Sequence, residues 1–258
     1  MVLTQTEELM RASIFLSSIL PLLEVMVEED EKLKNMIKNW NYVVQLEVKG
    51  EDLATYFIFS DGKLKVVSGH HSNPTISLIF KDVPQLNESI SGKKVIPKIK
   101  GIWHIFLLLK VMKLLNSLNI LKPEVEVTEE GKKRLKVKLL LYGVTNALEE
   151  LRKKDEYAQG LLNPVNNKVV QWEIKPDGPN VYANFDKTGI KRNIGVSTER
   201  PYLLIEFPNV DIAYQVFSGK INPLQATGSR MINQRGPAEF GLKIAQLMKR
   251  IDSILNPK

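Results

Sequence analysis

The chain has 258 residues, 43% of them hydrophobic and 25% charged, with no cysteine and a formal net charge of +7 at pH 7. That balance fits a soluble protein with room for two cores, and the missing thiols exclude disulfides, thiolate metal sites and a cysteine nucleophile. Met1 leads into acidic, periodic residues rather than a basic and apolar leader, so export is not expected and a cytoplasmic location is.

In chain order, apolar spacing predicts a helix from Thr4 to Leu20, broken at Pro21, and another from Glu28 to Asn39. A strand follows from Tyr42, where Val44, Leu46 and Val48 alternate with Gln45, Glu47 and Lys49, the pattern of a sheet with one wet face. Asp52 to Phe59 continues as strand, Asp61-Gly62 has the composition of a tight turn, Leu64 to Val67 returns, and Thr75 to Phe80 is a further strand. Val83 to Ile90 reads as a short amphipathic helix ending at Ser91-Gly92-Lys93.

Residues Ile102 to Leu121 are apolar at 14 of 20 positions, with Lys110, Lys113 and Ser117 on one narrow polar strip. Two lysines and two asparagines inside the stretch argue against a membrane span. Such a helix needs a cover, which could be the other half of the chain, the lining of a cavity, an oligomer contact or a membrane interface.

Pro123 closes this segment, and Glu124 to Lys132 is the expected junction. Leu135 to Tyr142 fits either a strand or the start of a long helix. In the basic run Lys132, Lys133, Arg134, Lys136 and Lys138, a strand would put Arg134, Lys136 and Lys138 on one solvated face, so no nucleic-acid partner is expected, whereas transient contact with an anionic membrane surface needs only a diffuse positive field. Asn146 to Tyr157 reads as helix, Val210 to Phe217 as another, and Thr227 to Asn233 as the last strand. Pro237 then opens a helix with Phe240, Ile244, Leu247, Met248, Ile251 and Leu255 on one face.

The chain also repeats itself. Val43-Val44-Gln45-Leu46-Glu47-Val48-Lys49 returns as Val169-Val170-Gln171-Trp172-Glu173-Ile174-Lys175 with five of seven residues identical. At an offset of 127, Pro74, Phe80, Val83, Ser91, Gly92, Lys93 and Gly101 match Pro201, Phe207, Val210, Ser218, Gly219, Lys220 and Gly228. Two modules are therefore expected, at residues 1–123 and 124–258.

Catalytic chemistry finds little support. The three histidines, His70, His71 and His104, lack the acidic neighbours of a metal site, and neither a Gly-x-Ser-x-Gly elbow nor a phosphate loop is present, so neither metal nor cofactor is expected. Asp61 and Asp177 precede glycine and read as turn residues. Arg230 and Arg235 stand near a strand and a helix start, where either could meet a carboxylate or phosphate, although plain surface placement explains them too. The many aromatic side chains and the apolar helix, with Trp103 and Phe106, favour a hydrophobic cavity over a polar active site.

Asn73-Pro-Thr-Ile-Ser-Leu-Ile-Phe-Lys-Asp-Val83 with Ser91-Gly92-Lys93, and Arg200-Pro-Tyr-Leu-Leu-Ile-Glu-Phe-Pro-Asn-Val210 with Phe217-Ser-Gly-Lys-Ile-Asn-Pro223, resemble the sterol carrier protein type two family, in two tandem copies. The resemblance implies an α+β fold in which each module is a curved, mainly antiparallel sheet of about five strands covered by helices. It also implies non-catalytic carriage of a fatty acid, acyl-CoA, sterol-like or other lipid. Carried over by position, the ligand lining would be Phe80, Val83, Leu86 and Ile90 in the first copy, and Phe207, Val210, Tyr214 and Phe217 in the second, with Phe240, Ile244 and Met248 from the last helix. The competing expectation is an interaction protein using helix 102–121 as an interface in a homo-oligomer, in which Leu108 and Leu115 would be contact residues. An enzyme acting on an apolar substrate is the third reading.

Overall fold

A computed structural model describes residues 3–101, 105–162 and 165–257. They divide into two compact units, Met1–Asn119 and Ile120–Asn256. The first contains α1 (Gln5–Ile14), a π-helical turn (Phe15–Ile19), α2 (Leu22–Glu29), α3 (Glu31–Ile37), β1 (Tyr42–Val48), β2 (Ala54–Ser60), β3 (Lys63–Ser68), β4 (Ile76–Phe80), α4 (Val83–Ile90), β5 (Lys98–Lys100) and α5 (Ile105–Asn116). A 3-10 turn, Ser117–Leu121, follows. The second contains α6 (Glu130–Lys154), α7 (Glu156–Leu162), β6 (Lys168–Ile174), β7 (Val181–Phe185), β8 (Ile190–Ile194), β9 (Leu203–Phe207), α8 (Val210–Phe217), α9 (Pro223–Gly228), β10 (Asn233–Arg235) and α10 (Ala238–Leu255).

Each unit is built on one five-stranded sheet, in the order β3-β2-β1-β4-β5 and, equivalently, β8-β7-β6-β9-β10. The central strand pairs antiparallel with its hairpin partner and parallel with the strand that returns on its other side, Val44 opposite Ile76 and Val170 opposite Leu203. The remaining pairings are antiparallel. Both sheets are open, and neither is strongly curled or closed.

The repeat extends into the helices. Asp30 caps α3 by accepting from the Lys32 and Leu33 N–H groups, and Asp155, 125 positions on, accepts from the Ala158 N–H at the start of α7. Glu24 on α2 accepts from the Val66 N–H on edge strand β3 at 2.5 Å, and Glu149 on α6 accepts from the Ile190 N–H on edge strand β8 at 2.5 Å.

Several expectations change. Pro21 does not end the first helical stretch: the wide turn before it, with the Leu20 N–H bonded to the Phe15 carbonyl, lets the chain run on into α2. Gln5–Glu29 is long and apolar enough to cross a membrane, but most of it is buried within the protein. The supposed wet face of β1 is partly covered, because Gln45 is buried and its side-chain oxygen accepts from the His71 N–H at 2.7 Å. Gln171 does the same for the Ser197 N–H at 2.8 Å. Leu135 to Tyr142 is helix, and the basic run is no sheet face. Lys132 pairs with Glu129, Lys133 with Asp211 and Arg134 with Asp177. Lys136 is buried, donating to the Lys122 and Val125 carbonyls at 2.9 and 2.6 Å, and burial lowers its pKa.

The last strand is Asn233–Arg235, not Thr227 to Asn233, because Pro223–Gly228 forms α9, capped by Asn222. The structural counterpart of Gly101 is consequently Gly236 and not Gly228. A Cβ on Gly101 would strike the Thr75 carbonyl oxygen, and one on Gly236 the Tyr202 carbonyl oxygen, at equivalent places in the two sheets.

In the first unit the Tyr42 ring packs against Trp40 and Phe59, at 5.3 and 5.0 Å between centroids, and its buried hydroxyl has no hydrogen-bond partner among the described residues. Burial raises the phenol's pKa. Below about pH 10 the phenol is neutral in both folded and unfolded chains. Above it only the unfolded chain ionises, so stability falls with rising pH. Tyr42→Phe should leave the unit as stable or about 1 kcal/mol more stable at pH 7 and should flatten its alkaline loss of stability, measured by urea unfolding between about pH 8 and pH 11.

Candidate functional site

The described pockets lie in the second unit, where the start of β6, the start of β9, the end of β10 and the first turn of α10 converge. The smaller, about 160 Å³, is lined by Val165, Lys168, Tyr202, Pro237, Glu239, Phe240 and Lys243. The larger, about 610 Å³, shares Lys168 and Tyr202 and adds Asn167, Glu199, Arg200, Arg235 and Gly236 among others.

Local chemistry explains the shape. Gly236, at φ +127°, lets the chain pass against the Tyr202 carbonyl before it turns into α10. Phe240, on the first turn of α10, meets Tyr202 edge-on at 5.4 Å and Phe185 on β7 at 6.1 Å, so an aromatic wall runs from the pocket into the sheet core. Lys168 holds its ammonium 4.2 Å above the Tyr202 ring. Arg235 is 3.9 Å from Glu206, and Lys243 is 3.2 Å from Glu239. No ion pair is found for Lys168 or Arg200 among the described residues. The result is an apolar wall under a mainly cationic rim, suited to holding an amphipathic anion. Among the described residues its rim presents no nucleophile paired with a base.

Of the residues named from the sequence, Phe240 lines this site and Arg235 stands on its rim; Arg230 does not. Ile244 is buried and Met248 half-buried further along α10. Phe207 and Phe217 meet at 5.3 Å, while Val210 is half-buried and Tyr214 is buried, its hydroxyl accepting from the Val127 N–H. In the first unit Phe80, Val83 and Leu86 are buried and Ile90 is half-buried. None of these, Phe240 excepted, lines either pocket. Phe106 is 80% exposed and faces solvent rather than a cavity. Trp103 and His104 lie outside the described residues. Sequence reasoning missed Lys168 and Tyr202, whose lysine-over-aromatic contact joins positions 34 apart and carries no local signal.

His70 Nδ1 lies 3.3 Å from a Glu47 carboxylate oxygen, yet the imidazole is exposed and outside both pockets. Among the described residues, no group of three or more His, Cys, Asp or Glu side chains could hold a metal ion.

The model of the SCP-2 sterol transfer family matches residues 23–94 and 146–249. Among solved structures, sterol carrier protein 2 from Yarrowia lipolytica in its apo form is 11% identical, with 51% of this chain and 99% of that chain covered and a TM-score of 0.34. The sterol carrier protein domain 2 of Helicoverpa armigera is 20% identical, covering 43% of this chain and 87% of that one, with a TM-score of 0.33. The UbiJ-SCP2 ubiquinone synthesis protein is 13% identical, covering 42% and 95%, with a TM-score of 0.32. A search of curated proteins gives no match.

Proposed function

Since the chain belongs to the SCP-2 sterol transfer family, we propose that it binds and carries a long apolar ligand without making or breaking a bond, and that the second unit is the binding module. The observation that carries this reading is the pocket at Tyr202 and Phe240, whose aromatic wall leads from a cationic rim toward the sheet core. The adjoining larger pocket, which shares Lys168 and Tyr202 but not Phe240, falls within the size range of small-molecule sites. Burying an acyl chain yields about 0.8 kcal/mol per methylene, so even a partly buried chain would offset the cost of association. The buried and half-buried side chains of Phe207, Val210, Tyr214, Phe217, Ile244 and Met248 are the remaining proposed contacts in this unit. The set Phe80, Val83, Leu86 and Ile90 lies on the corresponding strand and helix of the first unit.

Native mass spectrometry of the purified protein and titration with a fluorescent fatty acid test this reading. A bound lipid, or saturable probe binding weakened at least about tenfold by the paired change Tyr202→Ala and Phe240→Ala, is expected. Absence of both co-purifying lipid and probe binding would sink it.

A further inference from the structure

Residues 89–119 contain six lysines, Lys93, Lys94, Lys98, Lys100, Lys110 and Lys113, and no aspartate or glutamate. The whole chain carries +7, so this one stretch of the first unit holds nearly all of the excess positive charge. All six lysines are exposed. Lys93 pairs with Glu88, and no ion pair is found for the other five among the described residues.

The same stretch exposes apolar side chains. Ile96 is 84% exposed between Lys94 and Lys98, and on α5 Phe106, Leu109 and Met112 are 80%, 61% and 42% exposed. Spacings of three put these last residues along one side of the helix, while Leu108, Val111, Leu114 and Leu118 are buried. The helix thus buries one apolar stripe and presents a second, flanked by Lys110 and Lys113. Leu108, expected as an oligomer contact, faces the interior, so its substitution would report on folding rather than on assembly.

We propose that the exposed lysines and apolar side chains of residues 93–100 and 106–113 form a docking surface for an anionic phospholipid bilayer. Charge complementarity selects an anionic partner. Within that class, a nucleic-acid surface would be expected to use arginine and stacked aromatics, whereas this stretch has no arginine and, among the described residues, exposes one aromatic ring, Phe106, beside Ile96, Leu109 and Met112, a set that suits insertion at the headgroup–acyl boundary. In the second unit the corresponding stretch carries α9, and exposed apolar groups there are single, Leu224 on α9 and Leu242 on α10, while α10 buries Phe240, Ile244, Leu247, Ile251 and Ile254. The surface is independent of the ligand-binding reading.

The test is flotation of the full chain with vesicles of phosphatidylcholine alone or with about 30% phosphatidylglycerol. Binding to the anionic vesicles only is expected, weakening severalfold as salt rises from about 0.1 to 0.5 M. The combined change Lys94→Gln, Lys98→Gln, Lys110→Gln and Lys113→Gln should reduce it at least about tenfold, as should Phe106→Ser with Leu109→Ser and Met112→Ser. Changing Lys63, Lys65, Lys187 and Lys191 to Gln should have little effect, and circular dichroism should show every variant folded. Equal binding to neutral vesicles, equal loss in the control variant, unchanged binding in either set, or equally tight binding of duplex RNA that survives the serine changes would each overturn the proposal. Fatty-acid probe binding measured on the same samples reports separately on the second unit's pocket.

Discussion

Asp155→Ala should destabilise the second unit by about 3 kcal/mol, while Asp30→Ala should cost the first only about 1 kcal/mol. The two aspartates hold the same place in the repeat and cap the same short helix. Asp155 does more, because its second oxygen accepts from Arg250 Nε and Nη2 on α10 at 3.1 and 3.0 Å, and its side chain is only 8% exposed. Removing it loosens both the start of α7 and the attachment of the last helix. Asp155→Asn keeps the capping oxygen but turns an amide N–H donor toward the Arg250 donors, so it should keep the cap and lose the whole Arg250 contact. Urea unfolding followed by fluorescence, with Trp172 reporting on the second unit, measures this. Equal losses at the two positions would show that the Arg250 contact contributes nothing.

Gly101→Ala and Gly236→Ala should each cost about 3 kcal/mol or more. The backbone angles, φ +80° and +127°, suit glycine, and the added carbon would meet a carbonyl rather than a side chain. Those carbonyls belong to residues pinned by the sheet, since the Thr75 N–H bonds the Val43 oxygen at 2.8 Å and the Tyr202 N–H bonds the Val169 oxygen at 2.9 Å. Gly241→Ala is the useful contrast. There the new carbon meets only the side-chain amide of Gln234, which can swing away, and alanine favours the helix, so the change should stay within about 1 kcal/mol of neutral. Differential scanning calorimetry separates the outcomes: a large downward shift for Gly101 and Gly236 with little for Gly241 is expected, and similar shifts for all three would refute the steric account.

The hairpins, the short helices after β4 and β9, and the existence of two copies were legible because period-two alternation, Asp-Gly turns and helix ends are local signals. The pairing of Gly101 with Gly228 misled, since α9 inserts eight residues and a glycine happened to stand at the unshifted offset. The region Leu135 to Tyr142 was ambiguous because α6 is buried on most of its circumference, from Lys136 and Val137 to Leu141 and Tyr142, which blurs the 3.6-residue period. Edge strands β5 and β10, three residues each, are too short to show a pattern. The pocket was legible only at Phe240 and Arg235; Lys168 and Tyr202 meet through sheet pairing that no local spacing encodes.

Glu24 and Glu149 have a further consequence. Two sibling sheets joined in one chain would meet at an effective concentration of about millimolar during synthesis and refolding, with similar outer strands ready to pair with each other. A carboxylate seated on the Val66 and Ile190 N–H groups occupies a donor that an invading strand would need. One pairing position on each outer strand is thereby closed, from α2 in the first module and from α6 in the second, which disfavours pairing of either sheet with its copy.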